Sequence, residues 1–219
     1  QLRQPLFEGL VATGSVEPLG KYAVSAVVDY VDTLPPTSAA SDPADAESEP
    51  GWSVDGVVME LTRLLLTDRR TSKLINPALI VTDQLIEQGS LALASPTVWV
   101  PLYRAVQRIA FKLRAPQRLM LCLKLYSTVA MVNKDMAKMA VESLLAHIGH
   151  PIPKIRQVAA DHLYTLLCIN GFLEVDSEEI MTEVDLLLTE TEWMRESAGV
   201  KEARGKLATL VKRILSQSA

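Results

Sequence analysis

The amino-acid sequence predicts an all-α protein, an α-solenoid of about five stacked helix pairs. Leucine, alanine and valine dominate the 219 residues, of which 48% are hydrophobic and only 5% aromatic. This composition is typical of helical proteins. About ten segments carry apolar residues at helical spacing, and none shows strand-like alternation bounded by hairpin turns.

The helices of the first half are set by apolar spacing and by the residues that end them. A first helix begins near Leu6, and a regular apolar stripe runs through 54–65. The next helix is predicted over 73–88, with Gly89 as its stop. Pro96 and Pro101 then bracket the start of a helix that carries Leu102, Val106, Ile109 and Leu113.

The second half continues in the same way. Pro116 begins one helix, and further helices are predicted over 135–148 and 152–169, the latter closed by Asn170 and Gly171. Asp176 is predicted to cap a helix that holds Ile180, Val184, Leu187 and Leu188. The last helix carries Leu207, Leu210, Val211 and Ile214.

These helices group into pairs of regular length. Pairs begin near residues 54, 98, 134 and 176, at intervals of 44, 36 and 42 residues. A helix pair that recurs roughly every 40 residues is typical of HEAT or armadillo repeats, in which no pair can bury its apolar face alone. We therefore expect one HEAT-like domain over 1–219. Because no initiator methionine precedes the first helix, we expect this domain to be a piece of a longer chain.

One segment does not fit the helical pattern. Residues 35–53 are rich in proline, serine, alanine and acidic residues, and they lack apolar periodicity. Such a stretch cannot bury enough apolar surface to order itself. The sequence therefore predicts a disordered, mobile acidic insert between helices, and its deletion is expected to leave stability nearly unchanged.

Composition excludes several classes of protein. The net charge of −4 argues against a basic nucleic-acid-binding protein. Cys122 and Cys168 lie in separate apolar runs, which indicates buried thiols in a reducing, intracellular compartment rather than a disulfide framework. No segment is long and apolar enough to predict a membrane span.

The residues that could support catalysis do not form a recognisable site. His147 and His150 are three residues apart, but a metal site needs a third ligand, so they are interpreted as surface histidines at a helix end. His162 is interpreted as half-buried. The acidic cluster of Glu178, Glu179 and Glu183 is typical of the first turn of a helix. We therefore expect no enzyme activity, no cofactor and no metal.

A basic stretch is the best candidate for a binding site. Between 101 and 124 the chain has six basic residues and no acid, and residues four apart share a helix face. The candidate partner-binding residues are Arg104, Arg108, Lys112, Arg114 and Arg118. They either contact an acidic partner or form a solvated surface compensated by acids on a neighbouring helix.

One repeat carries a more specific pattern. Residues 151–160, with the sequence PIPKIRQVAA, resemble the second helix of a HEAT repeat. Proline suits a first helical turn, and the small Ala159 and Ala160 permit close approach of neighbouring helices. Arg156 is expected to lie between repeats, bonding backbone carbonyls or an acid of a neighbour.

Several segments, in order along the chain, carry a further likeness. They are 6–12 (LFEGLVA), 83–89 (DQLIEQG), 151–167, 172–175 (FLEV), 189–193 (TETEW) and the final helix from Val200. Together they resemble the C-terminal region of the tubulin-folding cofactor D family, which implies that the chain is a C-terminal fragment. The likeness extends along nearly the whole chain except 35–53. Each motif alone has low specificity, so the resemblance depends on their order.

The resemblance implies a function in tubulin assembly. Members of that family are HEAT-type scaffolds that capture β-tubulin and act with cofactors E and C and an ADP-ribosylation-factor-like small GTPase. They assemble or take apart the αβ-tubulin heterodimer, GTP hydrolysis occurs on tubulin, and the location is the cytoplasm, at microtubules or the centrosome. Tubulin is strongly acidic, so it is a plausible partner for the basic stretch. The alternative is a HEAT scaffold of another pathway, such as a transport receptor or a vesicle-coat adaptor.

Overall fold

Every element of regular secondary structure is helical in the part of the chain that the computed structural model describes. That part comprises residues 3–13, 20–35, 52–66, 74–111, 115–169, 178–195 and 198–217. The all-α prediction is confirmed. The chain divides into two compact units, Gln1–Lys112 and Leu113–Ala219. The expectation of one continuous domain over 1–219 stays a prediction.

The described part of the first unit contains five α-helices. They are α1 (Arg3–Thr13), α2 (Gly20–Asp32), α3 (Val54–Leu66), α4 (Ile75–Glu87) and α5 (Pro96–Ala110). Helix α1 packs on α2 and α4, and α3 packs on α4 and most extensively on α5. The apolar stripe predicted for α3 is buried, with Val57, Val58 and Leu61 fully shielded from solvent. Burying each such side chain contributes about 1.5–3 kcal/mol relative to leaving it exposed.

Glycine and proline mark the boundaries of α4 and α5. Gly89 follows α4 with a φ of 80°, a left-handed conformation that glycine adopts without strain, so the predicted stop is confirmed. Helix α5 begins at Pro96, the first helical position, where a missing N–H costs nothing. Pro101 lies inside α5 rather than before it, and its ring faces solvent.

Five α-helices are also present among the described residues of the second unit. They are α6 (Pro116–Val132), α7 (Ala137–His147), α8 (Pro153–Tyr164), α9 (Glu178–Glu190) and α10 (Ala198–Gln217). A 3₁₀ turn at Lys134–Met136 precedes α7, and a π-helical turn at Thr165–Ile169 extends α8. The predicted stop at Asn170–Gly171 and the predicted cap Asp176 lie outside the described residues.

Helices of the second unit pack on their neighbours along the chain. Helix α6 contacts α7 and α8, α7 contacts α8, α8 contacts α9, and α9 contacts α10. This local, sequential packing is solenoid-like, as the helix-pair spacing predicts. The small residues Ala159 and Ala160 of α8 are fully buried, which confirms the expected close approach of helices at this position.

The boundaries predicted for the acidic insert are wrong at both ends. The Trp52 ring packs edge-on against Phe7, with ring centroids 5.0 Å apart, and contacts Tyr30 at 6.3 Å. Ser53 is buried and its Oγ accepts a hydrogen bond from the Gly56 N–H at 3.2 Å, which caps α3. The prediction used the average composition of 35–53, and this average does not show that Trp52 can pack in a core or that Ser53 can cap a helix.

The two ends of this insert also meet. The Pro35 carbonyl accepts a hydrogen bond from the Val54 N–H at 3.0 Å. Pro35 and Val54, which flank residues 36–53 of the chain, therefore lie side by side. The rest of the predicted insert, 36–51, lies outside the described residues.

Candidate partner-binding surface

The described basic residues of the candidate site lie on two different helices. Arg104 and Arg108 are exposed on α5, in the first unit. Arg118 is half-buried in the first turn of α6, in the second unit, close enough to Cys122 to affect its pKa. Lys112 and Arg114 lie outside the residues whose side chains are described. The prediction that these five residues bind a partner stays a prediction.

Helix α5 holds Arg104 and Arg108 on a well-anchored backbone. Its inner face buries Trp99, Leu102 and Tyr103 almost completely, and this face packs on α3. Arg104 and Arg108 are four residues apart, so the helical periodicity places both on the outer face of α5.

A carboxylate fixes the start of α5. Asp55, in the first turn of α3, accepts hydrogen bonds from the Ser95 N–H at 2.7 Å and from the Ser95 hydroxyl at 2.6 Å. A negative charge beside a helix N-terminus is favourable because it satisfies unpaired N–H groups and complements the helix dipole. This bond joins α3 and α5, so the outer face of α5 is presented by an anchored helix.

The α5 arginines differ from Arg63, another exposed arginine of the first unit. On α3, Arg63 forms ion pairs with Glu60 and Glu8. Neither Arg104 nor Arg108 has a carboxylate within 4 Å among the described residues. We call the exposed surface around Arg104 and Arg108 the α5 basic face.

The HEAT-like motif forms a buried hydrogen-bonded junction in the second unit. Arg156 is only 5% exposed. Its Nε donates to the Trp193 carbonyl at 3.0 Å, and its terminal nitrogens donate to the carbonyls of His150, Pro151 and Arg195 at 3.0, 3.2 and 3.0 Å. The expectation that Arg156 bonds backbone carbonyls between repeats is confirmed, and its planar fork suits several acceptors at once.

Two further contacts complete this junction. Trp193 is fully buried, and its indole N–H donates to the Leu188 carbonyl at the end of α9, at 3.1 Å. The Arg204 guanidinium of α10 lies directly against Gly149, in the space that a side chain at Gly149 would occupy. The junction therefore joins the α7–α8 turn to the segment between α9 and α10.

The histidines at the α7–α8 turn are half-buried, and His147 is the last residue of α7, at a helix end as predicted. The rings of His147 and His150 stack with centroids 6.5 Å apart, and His147 also contacts Tyr126. The His150 Nδ1 accepts a hydrogen bond from the Ile152 N–H at 3.1 Å. Burial, and then electrostatic interaction with the neighbouring His147, lower the pKa of His150. Within the described residues, no group of three or more His, Cys, Asp or Glu side chains could hold a metal ion.

The thiols are poor nucleophiles at neutral pH. Burial raises the pKa of Cys122 to about 12. Cys168 is half-buried rather than in the core as predicted, and burial, followed by the charge of Asp185, raises its pKa to about 11. Reactive cysteines instead have lowered pKa values in electropositive surroundings. His162 is half-buried as predicted, and burial lowers its pKa.

Comparison with known proteins identifies no family. No protein-family model matches the chain, and no solved structure matches it. Over the described residues, no helix is both long and apolar enough to cross a membrane.

Proposed function

We propose that this chain is a non-catalytic scaffold segment that binds β-tubulin and other tubulin-folding cofactors. The ordered resemblance along the sequence supports this proposal, together with the solenoid-like packing of the second unit. In this proposal the chain acts in the cytoplasm, at microtubules or the centrosome. It takes part in αβ-tubulin assembly and disassembly with cofactors E and C and an ADP-ribosylation-factor-like GTPase.

The α5 basic face is the observation that carries the proposal. Arg104 and Arg108 have no carboxylate within 4 Å among the described residues, and the opposite side of their helix is anchored in the core. Like charges four residues apart on a helix repel each other by a few tenths of a kcal/mol. An acidic protein surface such as that of tubulin would relieve this repulsion and would be attracted over long range.

The described thiols and His150 do not favour a catalytic function. The pKa values of the Cys122 and Cys168 thiols are raised, and the pKa of the half-buried His150 is lowered. None of these groups is activated as a nucleophile or placed beside one in the described residues. A scaffold that acts by holding partners is therefore the function we propose.

The test is a double charge reversal on the α5 basic face. Arg104→Glu with Arg108→Glu should reduce the association rate with purified tubulin about tenfold at low salt, because exposed charges mainly steer encounter. The difference should vanish near 1 M salt, where the Debye length is about 3 Å. Surface plasmon resonance measures both rates.

Lys212→Glu with Arg213→Glu is the matched control. Both side chains are exposed on α10, so the change in net charge is the same but lies in the other unit. The control should leave the association rate within about twofold of the parent chain. If the parent chain does not bind tubulin but binds a transport-receptor or vesicle-coat partner in a parallel panel, the alternative scaffold function replaces this proposal.

A further inference from the structure

Two open surface depressions lie on α9 and between α9 and α10 in the second unit. Their volumes are about 440 and about 460 Å³, and Glu183 lines both. We call the surface formed by the two depressions the α9–α10 groove. Its lining residues are Glu178, Glu179, Thr182, Glu183, Leu186, Glu202, Gly205, Lys206, Thr209 and Leu210.

The groove has an apolar component on each helix. Leu186 is 45% exposed, whereas the core-facing residues of α9 are Ile180, Val184 and Leu188. Leu210 is half-exposed on α10 and lines the other depression. Two leucines that face solvent across neighbouring helices would gain free energy if a partner covered them.

The net charge of the groove is negative. Four carboxylates and one ammonium line it, so three negative charges are in excess. Lys206 is paired with Glu202 at 2.9 Å. Glu178, Glu179 and Glu183 have no basic side chain within 4 Å among the described residues. Because Glu179 and Glu183 are four residues apart on one helix, their repulsion is unfavourable in the isolated chain.

Gly205 keeps the groove open. It lies in the interior of α10 and is exposed, and a Cβ built at this position would meet no described atom within 4 Å. Glycine in a helix interior is less stable than alanine, and no described neighbour requires it here. Without a side chain at this position, the backbone of another helix can approach α10 closely.

We propose that the α9–α10 groove binds a basic amphipathic helix of a partner protein. Lysine or arginine side chains on the rim of that helix would pair with Glu179 and Glu183, and its aliphatic residues would cover Leu186 and Leu210. From Glu178 to Leu186 the helix rises about 12 Å, which matches about two turns of a bound helix. The occupant differs from tubulin, since an acidic surface would be repelled by these carboxylates. This proposal is therefore independent of the function proposed above.

The experiment measures binding of a labelled model peptide to the 219-residue chain. The probe is a peptide of about 18 residues with lysine and leucine at amphipathic helical spacing, and fluorescence anisotropy gives its Kd in about 50 mM salt. A peptide of the same composition in scrambled order should bind at least about tenfold more weakly, because it cannot present an apolar face.

Two sets of variants locate the peptide. Glu179→Lys with Glu183→Lys should raise the Kd at least about tenfold, since both pairing carboxylates are lost. Gly205→Leu should also raise the Kd by filling the groove, whereas Gly205→Ala should leave it within about twofold. Circular dichroism establishes whether each variant is folded. If the Glu179→Lys, Glu183→Lys variant does not fold, the comparison of Gly205→Leu with Gly205→Ala still tests the proposal.

The matched control is Asp29→Lys with Glu142→Lys. Both residues are exposed on other helices, and the change in net charge is identical. The control should change the Kd by less than about threefold. Equal weakening by the control and the groove variants, or an unchanged Kd for Gly205→Leu, would overturn the proposal, because binding would then be non-specific charge attraction.

Discussion

Truncation of Arg156 tests the junction that organises the second unit. In the folded chain its guanidinium donates to four backbone carbonyls, those of His150, Pro151, Trp193 and Arg195. Arg156→Ala removes every donor while the carbonyls stay in place. We therefore expect a destabilised second unit in which the segment between α9 and α10 is no longer held against α8.

The expected loss of unfolding free energy depends on how deeply each acceptor carbonyl is buried. The bond to Trp193 is buried, so its loss should cost about 2 kcal/mol, within the range for a charged hydrogen bond with no replacement. The other three acceptors are partly buried, and water can reach them after truncation. Together these losses should lower the free energy of unfolding by about 3 kcal/mol. Arg156→Lys should recover only part of this, because an ammonium cannot match a planar fork.

Urea denaturation followed by circular dichroism measures the change. Hydrogen exchange with mass spectrometry should localise it to α8 and to 191–195, while α3 keeps its protection. Lys154→Ala, an exposed site on the same helix, is the control and should stay within about 0.5 kcal/mol. A loss below about 1 kcal/mol for Arg156→Ala would refute the reasoning, since water would then replace the arginine at all four carbonyls.

Three further outcomes are expected. Ala159→Leu should cost about 1–3 kcal/mol in chemical denaturation, because Ala159 is 0% exposed and a larger side chain overpacks the helix contact; a neutral result would contradict the packing described for α8. Replacing 36–51 with a short Gly/Ser linker should change the melting temperature little. Trp52→Ala should instead lower the free energy of unfolding by about 2 kcal/mol, because its ring contacts are lost. Equal effects of the two changes would contradict the distinction between 36–51 and the packed Trp52. Stability should fall as pH drops from 7 through about 6.5, because the lowered pKa values of His150 and His162 mean that the unfolded chain binds more protons there. His150→Asn with His162→Gln should flatten that dependence in thermal melts between pH 5.5 and 7, and an unchanged slope would assign it to other groups.

Much of the fold could be predicted because its determinants are local. The stripe on α3, the glycine stop at Gly89 and the proline starts at Pro96 and Pro116 are all visible within one or two helical turns. Helical hydrogen bonds join residues four apart, so short windows contain the relevant signal. The role of Arg156 could also be predicted from the sequence, because the HEAT-like pattern of 151–160 indicates which side of α8 packs on a neighbouring helix.

The candidate surfaces could be predicted only in part. Helical periodicity correctly placed Arg104 and Arg108 on one face of α5. It missed the half-burial of Arg118, and it interpreted Glu178, Glu179 and Glu183 as first-turn acids without relating them to α10. The signal that could have identified the groove was Gly205 inside an otherwise regular helical pattern.

The sequence by itself determined the helices, their order, the charge of each face and the arginine that bonds between repeats. Only the tertiary structure decided that Trp52 packs on Phe7 and that Gly205 lines a groove with Glu183. It also decided which carbonyls Arg156 reaches, one of them 37 residues away. The reason is physical: a helix forms from bonds within its own turns, whereas these contacts join segments whose separation along the chain carries no periodic signal.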